Sequence, residues 1–396
     1  MAGALDGIRV LEAGLLIQGP QASLLLGDMG ADVIKIELPE YGDHSRNIKV
    51  EPGDPRSAVF TACNRGKRSV SLNLGHPEGA AVFKRLVQAA DVVITNFTPG
   101  TMDRWGLGHD DLAAVNPRII CAQGSTFGSL GPDAARQGAD LAAQAAGGLV
   151  STTGRDGDPA SPVAIFIADH IASLNMVAGI LAALQHRNRT GRGQCLDVSL
   201  LGGQIWAQAA EYTYLMLTDQ VAGRANLGHP MIRTIYDIFP TADGWIAIVG
   251  VRGREKDAFF IALERPDLTV DPRLQDREMT PEVHAWLREE LAQVFRTRTT
   301  EAWCDALRDT GVRYAPVRDH RQVLADPGAW ENSYFTETPD GDGDRRGIVA
   351  APIRMSETPL EPAAAVPDLG EHTDEVLREA GISDTEIAAL RKAKTI

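Results

Sequence analysis

The sequence predicts an α/β protein, with a large domain on a doubly wound parallel sheet and a smaller α+β domain. Three observations carry this expectation. In the first half, short apolar runs alternate with helical patterns, the rhythm of a parallel sheet covered by helices on both faces. The chain has 396 residues, beyond the size at which one core usually keeps growing. Near residue 200 the character changes, and a compact unit runs from about residue 225 to 325.

The elements follow in order. "IRVLEAG" reads as a buried strand, "PQASLLLGDMGA" as a helix and "DVIKIEL" as a second strand. "PEGAAVFKRLVQAA" is helical, with Pro77 where a first turn tolerates it, and "DVVITNF" and "RIICAQGS" are strands. A long buried helix begins after "VAIF" and ends at "NRTGRGQ", where Gly191 and Gly193 mark a turn before the strand "CLDVSLL". Beyond residue 200, "GQIWAQAAEYTYLML" is a helical, aromatic-containing stretch. "GWIAIVGV" is a strand, and "TPEVHAWLREELAQVF" is a helix capped by Thr280 with Pro281 in its first turn. "PDGDGDRRG" reads as a turn-rich loop and "PLEPAAAVPDLG" as a Pro-rich connector. Two short helices close the chain, the last with a capping box of Ser383 and Glu386.

Composition narrows the function. Hydrophobic residues make up 44% and charged residues 23%, as in ordinary globular proteins. The net charge of −14 argues against a nucleic-acid binder, which would show a basic surplus or face. Cys63, Cys121, Cys195 and Cys304 are scattered and form no CxxC pair, which fits unpaired thiols in a reducing cytoplasm and no zinc site. The start lacks a basic region followed by an apolar core, and no charge-free span is long enough to cross a bilayer. The expected location is cytoplasmic, without a membrane partner.

Ligands of doubly wound sheets gather at the carboxyl ends of the strands. Neither GxGxxG after the first strand nor GxxxxGK[ST] is present, so a nicotinamide dehydrogenase is disfavoured. Two local clusters could hold an anion: Arg65, Lys67 and Arg68 of "NRGKRS", and Asn96, Phe97 and Arg104 of "NFTPGTMDR". A solvated surface cluster and an ordinary strand–turn explain the same residues. Asp169, heading the long helix in "FIADHIAS", is open in the same way. Asp is a preferred N-cap, yet Ala172 stands where a capping box wants Glu or Gln. A carboxylate at a helix start is also expected to stay ionised, as a nucleophile requires.

Taken together, the chain resembles the class III CoA-transferases, which include formyl-CoA transferase and carnitine CoA-transferase. The likeness rests on "LDGIRVLEAG", Gly19-Pro20 with "GDMGADVIKIE", "YGDHSR", "NRGKRSVSLNL" and "ADVVITNFTPGTMDRWGL". It continues through "NPRIICAQGSTFGSLGP", "GADLAAQAAGG", "IADHIASLNMVAGILAALQHRNRTGRGQCLDVSL" and "LGEHTDEVLREAGIS". It covers nearly the whole chain, in order.

The resemblance implies a CoA-transferase that moves CoA between an acyl-CoA donor and a carboxylic acid, with Asp169 as the nucleophile. Asp140 falls where formyl-CoA transferase has an auxiliary Glu. Leu72, Asn73, Leu74, Gly75, Asn96, Phe97 and Arg104 fall at CoA-contacting places. Gln18 stands one step beyond a family Gln whose own place is Ile17, and Arg136 stands beside Gln137, which takes the place of a phosphate-reaching Lys. Leu38 and Thr98 replace family arginines, and the glycine-run loop is absent, the smaller domain offering only "VGVRG". CoA enters as a substrate and no permanent cofactor is implied. His170 either orients neighbouring groups or is a partly buried structural histidine.

Racemases of the same family pair their aspartate with a His whose place here is Ala139, and alanine moves no proton. Ala139 also replaces a bulky Tyr of formyl-CoA transferase, which implies an acid larger than formate or oxalate. A non-catalytic CoA-binding protein is the third reading, and it predicts binding without exchange. Family members are interlocked homodimers. That layout implies a Rossmann-like large domain of residues 1–200 and 330–396, a small domain of residues 225–325, and linkers at 201–224 and 326–329.

Overall fold

The computed structural model describes residues 3–232, 234–251, 253–275, 279–339 and 345–396. Strands β1–β11 and helices α1–α17 are numbered in chain order. The chain divides into two compact units: Met1–Gly147 with Ala164–Ala207 and Pro327–Ile396, and Gly148–Val163 with Gln208–Asp326.

The larger unit is built on a six-stranded parallel sheet in the order β3-β2-β1-β4-β5-β6. Its strands are β1 (Arg9–Glu12), β2 (Asp32–Glu37), β3 (Arg68–Ser71), β4 (Val92–Thr95), β5 (Ile120–Ser125) and β6 (Cys195–Ser199). The helices between them are α1 (Gln18–Asp28), α2 (Ala58–Asn64), α3 (Pro77–Val87), α4 (Thr101–Arg104), α5 (His109–Val115), α6 (Asp140–Ala146), α8 (Ile167–Thr190) and α9 (Leu200–Ala207). Adjacent strand residues face opposite ways, so the sheet feeds two cores. Val10, Val33, Val92, Ile94, Ile120 and Ala122 pack with α1 and α8 residues such as Leu26, Met176 and Ile180. Leu11, Ile34, Ile36, Val70 and Val93 pack with Phe83 and Leu86 of α3 and with the end of the chain. There Val376 and Leu377 of α16 (Thr373–Glu379) and Ile387 and Leu390 of α17 (Asp384–Lys392) complete the layer. The Ser383–Glu386 capping box is formed as read. The unit also holds α15 (Pro327–Glu331) and a hairpin of β10 (Phe335–Pro339) and β11 (Arg345–Val349). Part of the "PDGDGDRRG" segment lies outside the described residues.

Helix α8 is long and apolar enough by composition to cross a membrane. Its buried face, with Ala172, Met176, Ile180 and Ala183, packs against α1 and the sheet, as a core helix does. It ends at Gly191 with φ 73°, a left-handed cap that a side chain would strain.

The smaller unit has an antiparallel sheet β7-β8-β9, from β7 (Ile235–Pro240), β8 (Trp245–Val251) and β9 (Arg313–Pro316). Helices α7 (Leu149–Thr152), α10 (Ala209–Thr218), α11 (Arg254–Ala262), α12 (Pro281–Phe295), α13 (Thr300–Leu307) and α14 (His320–Leu324) complete it. Phe239, Phe259, Phe260, Phe295 and Trp303 are buried together, and the Trp303 indole donates to Phe295 O at 2.7 Å. Thr280 caps α12 through Val283 N–H. Arg252 of "VGVRG" lies outside the described residues.

The expected boundaries differ in three places, one of them the expected linker 326–329, where the smaller unit ends at Asp326 and the larger resumes at Pro327 with α15. Residues 148–163 join the smaller unit, because Ala225 and Asn226 N–H donate to Thr152 O and Gly154 O at 2.9 and 3.0 Å. The stretch 201–224 is two helices, α9 in the larger unit and α10 in the smaller, divided at Gln208.

Candidate active site

The strand order reverses between β1 and β4, the place where a doubly wound sheet opens a crevice beyond its strand ends. Two helix N-termini meet near this end of the sheet. Helix α8 begins at Ile167 with Phe166 as its cap residue, so Asp169 is the third residue of the first turn and not the N-cap. The capping is done from another helix. The Asp140 carboxylate, at the start of α6, accepts from Ala168 N–H at 2.7 Å and Asp169 N–H at 3.3 Å. This leaves the Asp169 carboxylate free of its own helix, and the backbone N–H of Gln18 at the start of α1 acts on it only as a weak donor. Helix α8 thus lends its unpaired first-turn amides to the Asp140 carboxylate.

These amides do not keep Asp169 strongly acidic, contrary to the helix-start expectation. Burial pushes its carboxyl up to about 7, Asp140 adds to the rise, and the Gln18 amide only partly offsets it. Asp140 is itself buried, with Gln144 Nε2 donating to its carboxylate at 2.5 Å and to Ile165 O at 3.2 Å. His170 pairs through Nδ1 with Gln21 Oε1. Burial lowers its pKa, with Asp140 opposing, so the imidazole is neutral at pH 7. Ser173 Oγ lies 2.8 Å from Gln18 O and 2.7 Å from Asp169 O, tying α1 to α8. Sequence reasoning missed Gln144 and Gln21. The only signal for Gln144 was its place one turn after Asp140.

The other anticipated residues separate into groups. The Gln18 side chain is buried, donating to Val198 O at 3.0 Å, so its backbone and not its side-chain amide is turned to the Asp169 carboxylate. Gly124 makes room for it, since a Cβ there would stand 2.3 Å from Gln18 Oε1. The Asn96 side chain is spent on the chain itself, accepting from Leu15 N–H at 2.7 Å and donating to Leu15 O at 2.8 Å. Leu72 and Leu74 are core residues, which leaves Asn73 and Gly75 on the surface side after β3. Gly75 lies against the Trp105 indole, which meets Phe97 edge to face at 5.3 Å. Exposed Arg104 follows on α4, donating to Thr101 Oγ1 at 2.8 Å. Arg136 sits over the Phe127 ring at 4.8 Å.

The cluster Arg65, Lys67 and Arg68 is neither a phosphate site nor a solvated face. Arg65 forms a two-pronged pair with buried Asp28 at 2.7 and 2.8 Å. Arg68 pairs with Asp32 and Glu379. Lys67 is buried against Glu12 at 3.0 Å, and burial brings its pKa down to about 8. All three cations are spent on carboxylates inside the larger unit. Among the described residues no group of three or more His, Cys, Asp or Glu side chains is placed to hold a metal ion.

The family model described as CoA-transferase family III matches residues 5–373. The chain belongs to that family. It is 35% identical over 395 residues to a succinyl-CoA:mesaconate CoA-transferase of Haloarcula marismortui, covering 96% of this chain and 97% of the relative. It is 34% identical over 389 residues to a succinate–glutarate CoA-transferase of Agrobacterium fabrum, covering 95% of each. Among solved structures, a CAIB/BAIF family protein from Brucella suis is similar with a TM-score of 0.85 and 30% identity, covering 96% of this chain and 100% of that one. The chain is therefore a CoA-transferase, an enzyme that takes CoA thioesters as substrates.

Proposed function

We propose that this transferase moves CoA from succinyl-CoA to a second dicarboxylic acid, with Asp169 as the covalent carrier. The observation that carries the reading is the state of Asp169: a half-buried carboxylate that pairs with no cation among the described residues, raised to about 7 by burial and Asp140. Exchange of one thioester for another is nearly balanced, so the barrier is kinetic, and a positioned carboxylate divides it.

In the first step Asp169 attacks the thioester carbonyl, and the C–S bond breaks to give an acyl–aspartyl anhydride and CoA thiolate. The thiolate attacks the aspartyl carbonyl, releasing the first acid and leaving an aspartyl–CoA thioester. The second acid attacks that thioester, forming a new anhydride and thiolate. The thiolate then attacks the acyl carbonyl, which frees the product acyl-CoA and restores Asp169. Gln18 N–H, the weak donor to the Asp169 carboxylate, is the proposed donor to the oxyanion formed on the aspartyl carbonyl, and one such donor contributes about 3–4 kcal/mol. The exposed side of Gly75, Phe97, Trp105 and Arg104 is the proposed CoA rest, with Arg136 as a further cation. Small Ala139 precedes Asp140 where a larger acid needs space. The relatives' dicarboxylic acids are the basis for the substrate class.

Incubation with succinyl-CoA followed by hydroxylamine should trap the adduct on Asp169, read by peptide mass spectrometry. Mesaconate and glutarate should accept CoA, and acetate should do so poorly. Capture on a different carboxylate would remove the assignment. The Asp140→Asn variant should move the acid limb of the acylation profile to lower pH, because Asp140 holds the Asp169 carboxyl up. A limb that stays put would mean that Asp169 is not the group titrating.

A further inference from the structure

The turn between β1 and α1 delivers the Gln18 amide, and its backbone is held from every side. Gly14 N–H donates to Glu12 Oε1 at 2.6 Å, and Gly14 O accepts from Lys35 Nζ at 3.1 Å. Leu15 is clasped at both N–H and C=O by Asn96. Leu16 has φ +64°, a left-handed backbone that leucine rarely adopts, and its N–H donates to Asp43 Oδ1 at 3.0 Å. Such a conformation persists only where the surroundings over-determine it.

Lys35 is fully buried, and an ammonium has three protons to donate. Three groups surround it: Glu12 at 3.1 Å, Gly14 O at 3.1 Å and Asp43 at 2.8 Å. Two of these carboxylates are the ones that hold Gly14 and Leu16. Buried ion pairs are a weak device for stability, and apolar packing serves a core as well. A charged set placed on the turn before a reactive carboxylate therefore asks for another account.

We propose that Lys35 and Asp43 are positioning residues for the transfer reaction, fixing the β1–α1 turn so that the Gln18 amide meets the Asp169 carboxylate. The inference rests on Asp169 as the nucleophile. Ionisable groups face Asp169 from three elements: Asp140 on α6, His170 on α8 itself, and the Cys63 thiol on α2. Helix α1 contributes the amide. Losing that amide would leave burial and Asp140 unopposed, so the carboxyl would rise further.

The test is single-turnover acylation by succinyl-CoA across pH, followed by hydroxylamine capture. It compares the wild type, Asp43→Asn, and the charge-balanced double variant Lys35→Met/Asp43→Asn. Both variants should acylate more slowly, on the order of 10²-fold for a displacement near 1 Å, with the acid limb moved to higher pH. A limb at the wild-type position overturns the proposal, whether the rate falls or not, because loss of folded protein scales the rate without moving the profile. Absence of the Asp169 adduct in the wild type overturns the nucleophile reading instead.

Discussion

Replacing Asp169 with Asn should abolish CoA transfer and stabilise the protein at the same time. On the activity side, removal of the proposed covalent nucleophile leaves only binding and oxyanion stabilisation, so turnover should fall by about 10⁴-fold or more. CoA binding should persist, since the anticipated CoA contacts lie on other elements. On the stability side the sign follows from the carboxyl. It titrates at about 7 in the fold against 3.8 ordinarily, so the folded chain holds the proton more tightly than the unfolded one. Stability from this group is therefore present at low pH and is lost as pH rises through about 7. Asn carries no such penalty. The variant should melt above the wild type at pH 8, and the difference should close as pH falls below the ordinary 3.8, toward about 3, where Asp169 is mostly neutral in both states. Calorimetry at the two pH values reads this directly. An equal melting temperature at pH 8 would mean that Asp169 is not strained by its setting, and full turnover would remove it from the mechanism.

The sheet was legible because its strands are short apolar runs between helical patterns, and the α/β arrangement follows from their alternation. Strand β3 escaped notice. "RSVS" alternates polar and apolar residues over only four positions, and its basic start drew attention as a ligand cluster. Strands β7 and β9 escaped as well, β9 because "RYAP" is short and ends in proline. The sequence points to Asp169 and Asp140 one by one as candidates, and the structure brings the two together. That Asp140 caps the helix carrying Asp169 depends on the packing of α6 on α8, which no local pattern encodes. The burial that raises Asp169 is equally a tertiary property. One signal did point to buried charge: Glu12 closes, and Lys35 interrupts, a short run of buried apolar strand residues, and charges at such positions are buried only when paired.

The single variant Lys35→Met should be among the most destabilising substitutions in the larger unit. Lys35 is fully buried, with Glu12, Asp43 and Glu37 around it. Burial works against its charge, but these three carboxylates outweigh that effect and hold its pKa above the usual lysine range. Methionine fills the stem's volume and returns none of the charge. Glu12 still has Lys67 at 3.0 Å, whereas Asp43 is left buried with no ion-pair partner among the described residues. Breaking a buried pair from one side costs about 3–5 kcal/mol, because the remaining charge stays desolvated. Removing both partners in Lys35→Met/Asp43→Asn should restore most of that loss, since no lone charge is then left buried. Urea unfolding of the three proteins, followed by a probe in the larger unit, separates the outcomes. If the double variant is as weak as the single one, packing around Lys35 matters more than charge balance. If neither loses stability, the buried ion pairs do not hold the turn in place, and the geometry at Gln18 must be set by Asn96 and the helix packing alone.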